Sequence, residues 1–180
     1  MPPIIRIPDP SLVVLIGVTG SGKSTFAARH FLPTEVLSSD RARAMVADDE
    51  NDQGATREAF EVVQLVARLR LGLGRLTVID ATNVLPESRT PLLVLAGEHR
   101  VPAVAIVLDV PEDVLRERRV ARPDRRLGPQ VIRQHRHVLR RSLDRLDGEG
   151  FRPVFVLHSV EEIDAAGVIR ERAPAEPSDL

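Results

Sequence analysis

The sequence predicts an α/β fold, a parallel sheet of five strands with helices on both faces. Three observations carry that expectation. Five short apolar, β-branched runs recur at 12–16, 35–37, 76–79, 103–108 and 154–157. Helix-like segments separate them, and this alternation is the pattern of a parallel sheet with crossover connections. The first run leads directly into Gly17-Val-Thr-Gly-Ser-Gly-Lys-Ser24, a complete G-x-x-x-x-G-K-[ST] loop, whose required context is a strand before it and a helix after it.

Taken in order, Leu12–Ile16 is the first strand, and the helix-compatible segment Ser24 to Phe31 ends before Pro33. The second strand, Glu35–Leu37, is followed by a helix from about Arg41. Ala59, Val62, Val63, Val66, Leu69 and Arg70 then fall at three- to four-residue spacing, with Gly72 and Gly74 closing that helix. After the strand Leu76–Ile79, Thr90-Pro91 reads as the cap and first position of a helix ending near Gly97. The strand Ala103–Leu108 precedes an arginine-rich stretch. Pro129 opens a helix running to about Leu146, stopped by Gly148 and Gly150, and residues 160–171, beyond the strand Val154–Leu157, read as a last short helix. Residues 1–172 form one domain by length, and 173–180 have the composition of a linker, which is compatible with a larger parent protein.

The composition is that of a globular protein, with 43% apolar and 28% charged residues. Cysteine is absent, which excludes disulfides and thiolate metal sites, and no apolar run is long enough to span a membrane. A cytoplasmic location without membrane attachment is the expectation. Of the 25 basic residues, 24 are arginine and one is lysine, Lys23. A compact ammonium fits between phosphate oxygens where a planar guanidinium does not. The glycines Gly17, Gly20 and Gly22 let the backbone turn so that the amides around Thr19, Ser21 and Thr25 face phosphate, and the helix behind them adds partial positive charge. Ser24 supplies a hydroxyl for Mg²⁺. The loop therefore predicts binding of ATP with Mg²⁺.

Ligands of such sheets gather at the C-terminal strand ends, which singles out Asp40, Asp80 and Asp109. Asp40 has two readings. It is an N-cap for the helix that follows, or the base that takes a proton from an acceptor hydroxyl. Arg43, one turn along, suits an anionic group on that acceptor and favours the second. Asp80 reads as a Mg²⁺-associated acid, as a partner orienting Arg43, or as a turn residue. The stretch 118–126 holds five arginines in nine residues; a lid closing over a triphosphate accounts for that density better than a solvated face does. Asp48-Asp-Glu-Asn-Asp52 reads equally as a solvated loop or as part of an acceptor site. The five histidines show no ligand spacing, and His135 and His137 read as structural or surface residues. With no tyrosine or tryptophan, a base-stacking platform is not expected, so any nucleic acid would be held chiefly through its phosphates.

The blocks SLVVLIGVTGSGKSTFA, PTEVLSSDRARAMVADDEND, LTVIDATNV and RERRVARPDR…VIRQH together resemble the kinase module of bacterial polynucleotide kinase-phosphatase, over about residues 5–170. Phage polynucleotide kinase shares the logic more distantly. The resemblance implies a P-loop kinase fold with strand order 2-3-1-4-5 and transfer of the ATP γ-phosphate to the 5′-hydroxyl of RNA or DNA. It implies Lys23 and Ser24 on the phosphates and Mg²⁺, Asp40 as general base, and Arg43 on the phosphate 3′ of the terminal nucleoside. It also implies Asp80 bracing that arginine, and Arg118, Arg122 and Arg125 as lid residues on ATP. In such enzymes phosphatase and ligase-like modules follow, and the sequence carries neither. A small-molecule kinase on the same fold is the competing expectation. A guanine-specific switch would need an N/T-K-x-D element, which a chain whose one lysine lies in the phosphate loop cannot supply.

Overall fold

The computed structural model describes residues 2–121 and 128–172. Leu12–Ile16 holds five consecutive apolar residues, a pattern suited to a strand covered on both faces, and all five are buried. With β1 as Ile4–Asp9, this strand is β2. It lies at the centre of a parallel sheet with β3 (Val36–Ser38), β4 (Thr77–Asp80), β5 (Ala103–Leu108) and β6 (Val154–Leu157), in the order β3-β4-β2-β5-β6. Counted from the first expected strand this is 2-3-1-4-5; β1, which the sequence reading missed, shifts every number by one. β4 and β5 are also buried at every position. Their cover comes from α1 (Lys23–His30), α2 (Ser39–Ala47), α3 (Thr56–Gly72), α4 (Pro86–Glu98), α5 (Glu112–Val120), α6 (Pro129–Ser142), α7 (Leu146–Glu149) and α8 (Val160–Ala165). Among the described residues no helix is long and apolar enough to cross a membrane. The linker-like tail, 173–180, lies outside the described residues.

Several boundaries differ from the sequence expectation. The last helix ends at Ala165, and the chain continues as β7 (Gly167–Arg172), paired in parallel with β1 from Ile4↔Gly167 to Asp9↔Arg172. Ile5 and Ile7 of β1 alternate into the core, and this tertiary pairing overrides the helical reading of a charged segment. α4 begins at Pro86, a turn before Pro91, because Pro86 already meets the first-turn condition of needing no amide donor. Pro91 is carried inside the helix. In α3 the buried line is Ala59, Val63, Ala67 and Leu71, while Leu69 is exposed; the small alanines let the helix approach the sheet closely. The helix opened by Pro129 is regular to Ser142, then tightens into a 3₁₀ turn at Leu143–Arg145 before α7.

Register aligns the site. Asp80 lies level with Ser38 on one side and Leu15 on the other. At about 4.8 Å per strand, the start of α2 and the phosphate loop stand roughly 10 Å apart across the end of β4. The Gly17 amide donates to the Thr82 carbonyl at 3.0 Å, which ties the loop after β2 to the loop after β4.

Candidate active site

The phosphate loop needs its glycines for two separate reasons. Gly20 and Gly22 adopt left-handed backbone, with φ of 88° and 102°, where an L side chain is strained. At Gly17 a Cβ would stand 2.6 Å from Ser21 Oγ and 2.9 Å from the Leu108 carbonyl oxygen, a collision with a fully buried hydroxyl and with the backbone of β5. α1 starts at Lys23 with Gly22 as its N-cap, so the amides of its first turn have no partner inside the helix and suit an anion. Lys23 Nζ lies back over the loop, donating to the Gly17 and Val18 carbonyls at 2.8 and 3.0 Å.

A cleft of about 310 Å³ opens above this loop. Thr19 through Thr25 form one wall, and Leu115, Ile132 and Ile163 give it an apolar side. Arg118 Nη1 donates to the Gly20 carbonyl at 2.9 Å, so this expected lid arginine already lies against the loop. Arg122 and Arg125 lie outside the described residues. The donor set fits a triphosphate: a closely wound amide cradle, one ammonium and an adjacent guanidinium, with no carboxylate of the loop in competition.

A second cleft, about 280 Å³, contains Asp40, Arg43 and Asp80, and shares Thr19, Lys23 and Ser24 with the first. Asp40 is not the cap of its helix. Ser38 fills that position, its Oγ accepting the Arg41 amide at 3.4 Å. Asp40 sits in the first turn of α2 with its carboxylate 2.6 Å from Arg43 Nη1. Arg43 also donates to the Glu50 carbonyl at 3.3 Å and to Thr56 Oγ1 at 3.4 Å. No hydrogen bond joins Asp80 to Arg43, whose Nε and Nη1 go to Thr56, Asp40 and Glu50, although both residues line this cleft. Asp80, 6% exposed at the end of β4, faces the cleft beside Ser24. Ser24 and Asp80 are the groups positioned to hold Mg²⁺, which is ordinarily bound by one or two protein oxygens together with substrate phosphates and water. Asp109 does not join them. It is drawn to Arg140 at 3.2 Å, with Arg136 and His158 at 3.9 and 3.8 Å.

One reading that the sequence left open narrows, and one feature escaped sequence reasoning. The Asp48–Asp52 segment is a wall of the second cleft through Glu50 and Asn51, while Asp49 and Asp52 close local turns onto the amides of Asn51 and Gly54. His135 lines the same cleft from α6, and burial pulls its imidazole below the ordinary value, leaving it neutral near pH 7. Its direction depends on how α6 packs, which a spacing pattern within α6 does not report.

The comparisons with known proteins agree with this architecture. A protein of Chloroflexus aurantiacus described as a kinase is 16% identical, with a TM-score of 0.61, over 87% of this chain and 94% of that one. A chain in the Pnkp1/Rnl/Hen1 RNA repair complex is 26% identical, with a TM-score of 0.65; the alignment covers 78% of this chain but 47% of that one, so this chain spans about half its length. The Mycobacterium tuberculosis APS kinase CysC, solved with AMPPNP and APS, is 21% identical over 88% and 93% of the two chains, with a TM-score of 0.54. No curated protein sequence matches. The fold is thus a kinase-like P-loop fold, and the family described as AAA domain matches residues 12–148. Because that match runs from the first residue of the central strand through the phosphate loop and the whole of the second cleft into α7, the chain belongs to the AAA-domain family.

Proposed function

We propose that the chain is an ATP-dependent polynucleotide 5′-hydroxyl kinase acting on RNA or DNA ends. The observation that carries this reading is the junction of the two clefts. Lys23 and Ser24 border both, and the second contains a carboxylate and a guanidinium one helical turn apart. The 26% identity to a chain of an RNA repair complex supports the same substrate class. Association with phosphatase and ligase-like modules in a larger protein is part of the proposal.

In this reading ATP enters above the phosphate loop. Lys23 exchanges the Gly17 and Val18 carbonyls for β- and γ-phosphate oxygens, and Arg118 lies beside them, joined by Arg122 and Arg125 of the lid. The 5′-oxygen of the acceptor attacks the γ-phosphorus, the bond from that phosphorus to the β-γ bridging oxygen breaks, and ADP leaves. The hydroxyl proton passes to the Asp40 carboxylate. Arg43 takes the phosphate on the 3′ side of the terminal nucleoside, placing the 5′-oxygen at Asp40. Ser24 and Asp80 would hold Mg²⁺, which when bound neutralises charge on the transferring phosphate.

The test is transfer from labelled ATP to a nucleoside, a nucleoside 3′-phosphate, and 5′-hydroxyl RNA and DNA oligomers. The oligomers should be used best and the nucleoside least; equal use of all would point to a small-molecule hydroxyl as the acceptor. Asp40→Asn should lower transfer by roughly 10²- to 10⁴-fold, the usual value of a general base, with ATP affinity retained. Loss of ATP binding instead would reassign Asp40 to the nucleotide side.

A further inference from the structure

Asp40 borders a third space. A cleft of about 260 Å³ lies between α1 and β3 and shares Ser24, Asp40, Glu50 and Asp80 with the acceptor cleft. Arg41 and Arg43, two apart on α2, point to opposite sides of the helix, and each lines a different one of these clefts. The two spaces therefore flank the Asp40 carboxylate. Their chemistry differs. The α1–β3 cleft has an apolar lining, from Ala27 and Ala28 of α1, Phe31 just past its end, Pro33 and Val36. Its charged residues are three acids, Asp40, Glu50 and Asp80, against one base, Arg41.

Resting on the kinase reading above, we infer that this cleft receives the 5′-terminal nucleobase of the acceptor. A polynucleotide end presents two kinds of group next to its 5′-hydroxyl, an anionic phosphate and a flat, neutral base. An acidic rim around an apolar lining repels the first and accepts the second. The phosphate goes to Arg43, in the neighbouring cleft. The volume fits a part of a ligand rather than a whole one, since pockets for drug-sized molecules run from about 300 to 1,000 Å³. Pro33 and Ala28 are exposed at the mouth, whereas Phe31 is buried beneath them. Contact is thus with ring faces rather than with hydrogen-bonding edges, and the site accepts any base while rejecting none by sequence.

The experiment uses the full chain and two 5′-hydroxyl oligomers identical except that one has an abasic 5′-terminal nucleotide. Each is assayed with the wild type and with Ala28→Phe, which fills the cleft from an exposed helix position. The wild type should show a KM for the abasic oligomer raised by roughly 5- to 15-fold, the value of taking about 40–60 Å² of ring face out of water. Ala28→Phe should raise the KM of the intact oligomer toward that of the abasic one, leaving the abasic oligomer and ATP unaffected. Equal KM values for the two oligomers with the wild type would overturn the inference, and this comparison stands even where the variant does not fold. An Ala28→Phe effect of the same size on both oligomers would also overturn it. Absence of transfer to any oligomer would instead overturn the kinase reading, and the inference with it.

Discussion

Arg43 gathers three separate parts of the chain with one guanidinium: the Asp40 carboxylate, the Glu50 carbonyl and the Thr56 hydroxyl. Its side chain is 10% exposed, so it is held in place before any acceptor arrives, and a planar fork fixed in advance suits a phosphodiester. Arg43→Ala should lower kcat/KM for an oligomer by roughly 10- to 100-fold, the loss expected for a hydrogen bond to a charged group, with the KM for ATP unchanged. A defect confined to ATP would remove Arg43 from the acceptor site. At this scale the sequence was informative where function is local. The phosphate loop is one contiguous motif, and Asp40 and Arg43 lie three residues apart, so spacing alone puts them on one face. Glu50 and Thr56 reach Arg43 from 7 and 13 residues away, through a loop whose path no periodicity encodes. No bond joins Asp80 to Arg43, and which acceptors engage the arginine instead is equally invisible in the chain order.

Among the elements, the buried strands were legible because continuous apolar runs have few other uses in a short segment. The β1–β7 ribbon was not. Pro8 interrupts one strand and Arg170-Glu-Arg172 charges the other, so neither resembles a buried strand until the two are side by side. Besides the core packing of Ile5 and Ile7, an ion pair ties this ribbon to the sheet. Arg170 makes two bonds of 2.7 Å to the Glu35 carboxylate, just before β3, and Glu35 also accepts the Leu32 amide at 2.9 Å. Burial pushes the Glu35 carboxyl upward, but the hydrogen bonds from Arg170 and Leu32 outweigh it and hold the group below its ordinary value. The unfolded chain therefore takes up this proton first as pH drops. The stabilisation is complete above about pH 4.3 and disappears as pH falls through the lower folded-state value. Glu35→Gln should lower the thermal midpoint at pH 7, and the gap to wild type should close in acid. A gap independent of pH between 7 and 3 would show that packing, not charge, makes the contribution.

On the scale of the whole molecule, the two halves of the chain are joined beneath the site by a buried arginine and a partly exposed carboxylate. Arg89 of α4 is 0% exposed; it makes two bonds, of 2.7 and 2.6 Å, to Glu149 of α7, and donates to the Asn83 and Val84 carbonyls at 3.0 and 2.9 Å. Asn83 in turn donates from Nδ2 to the Leu15 carbonyl at 2.8 Å, so the bond chain runs from α7 to the central strand just below the phosphate loop. Truncating one partner leaves a charge in the interior without compensation, which costs about 3–5 kcal/mol. That is a large share of the roughly 5–15 kcal/mol by which a domain is stable. Glu149→Ala should therefore lower the thermal midpoint by roughly 6–20 °C, taking about 2–4 °C per kcal/mol for a chain of this length. The double substitution Arg89→Met with Glu149→Ala removes both charges and should recover part of that loss. Full recovery is not expected, because the Asn83 and Val84 carbonyls lose their donor and a buried acceptor left unpaired carries its own cost. The measurement is a double-mutant cycle by thermal or urea denaturation. Additive losses from the two single substitutions, with no recovery in the double, would mean that Arg89 acts through those carbonyls alone and that its pairing with Glu149 contributes nothing.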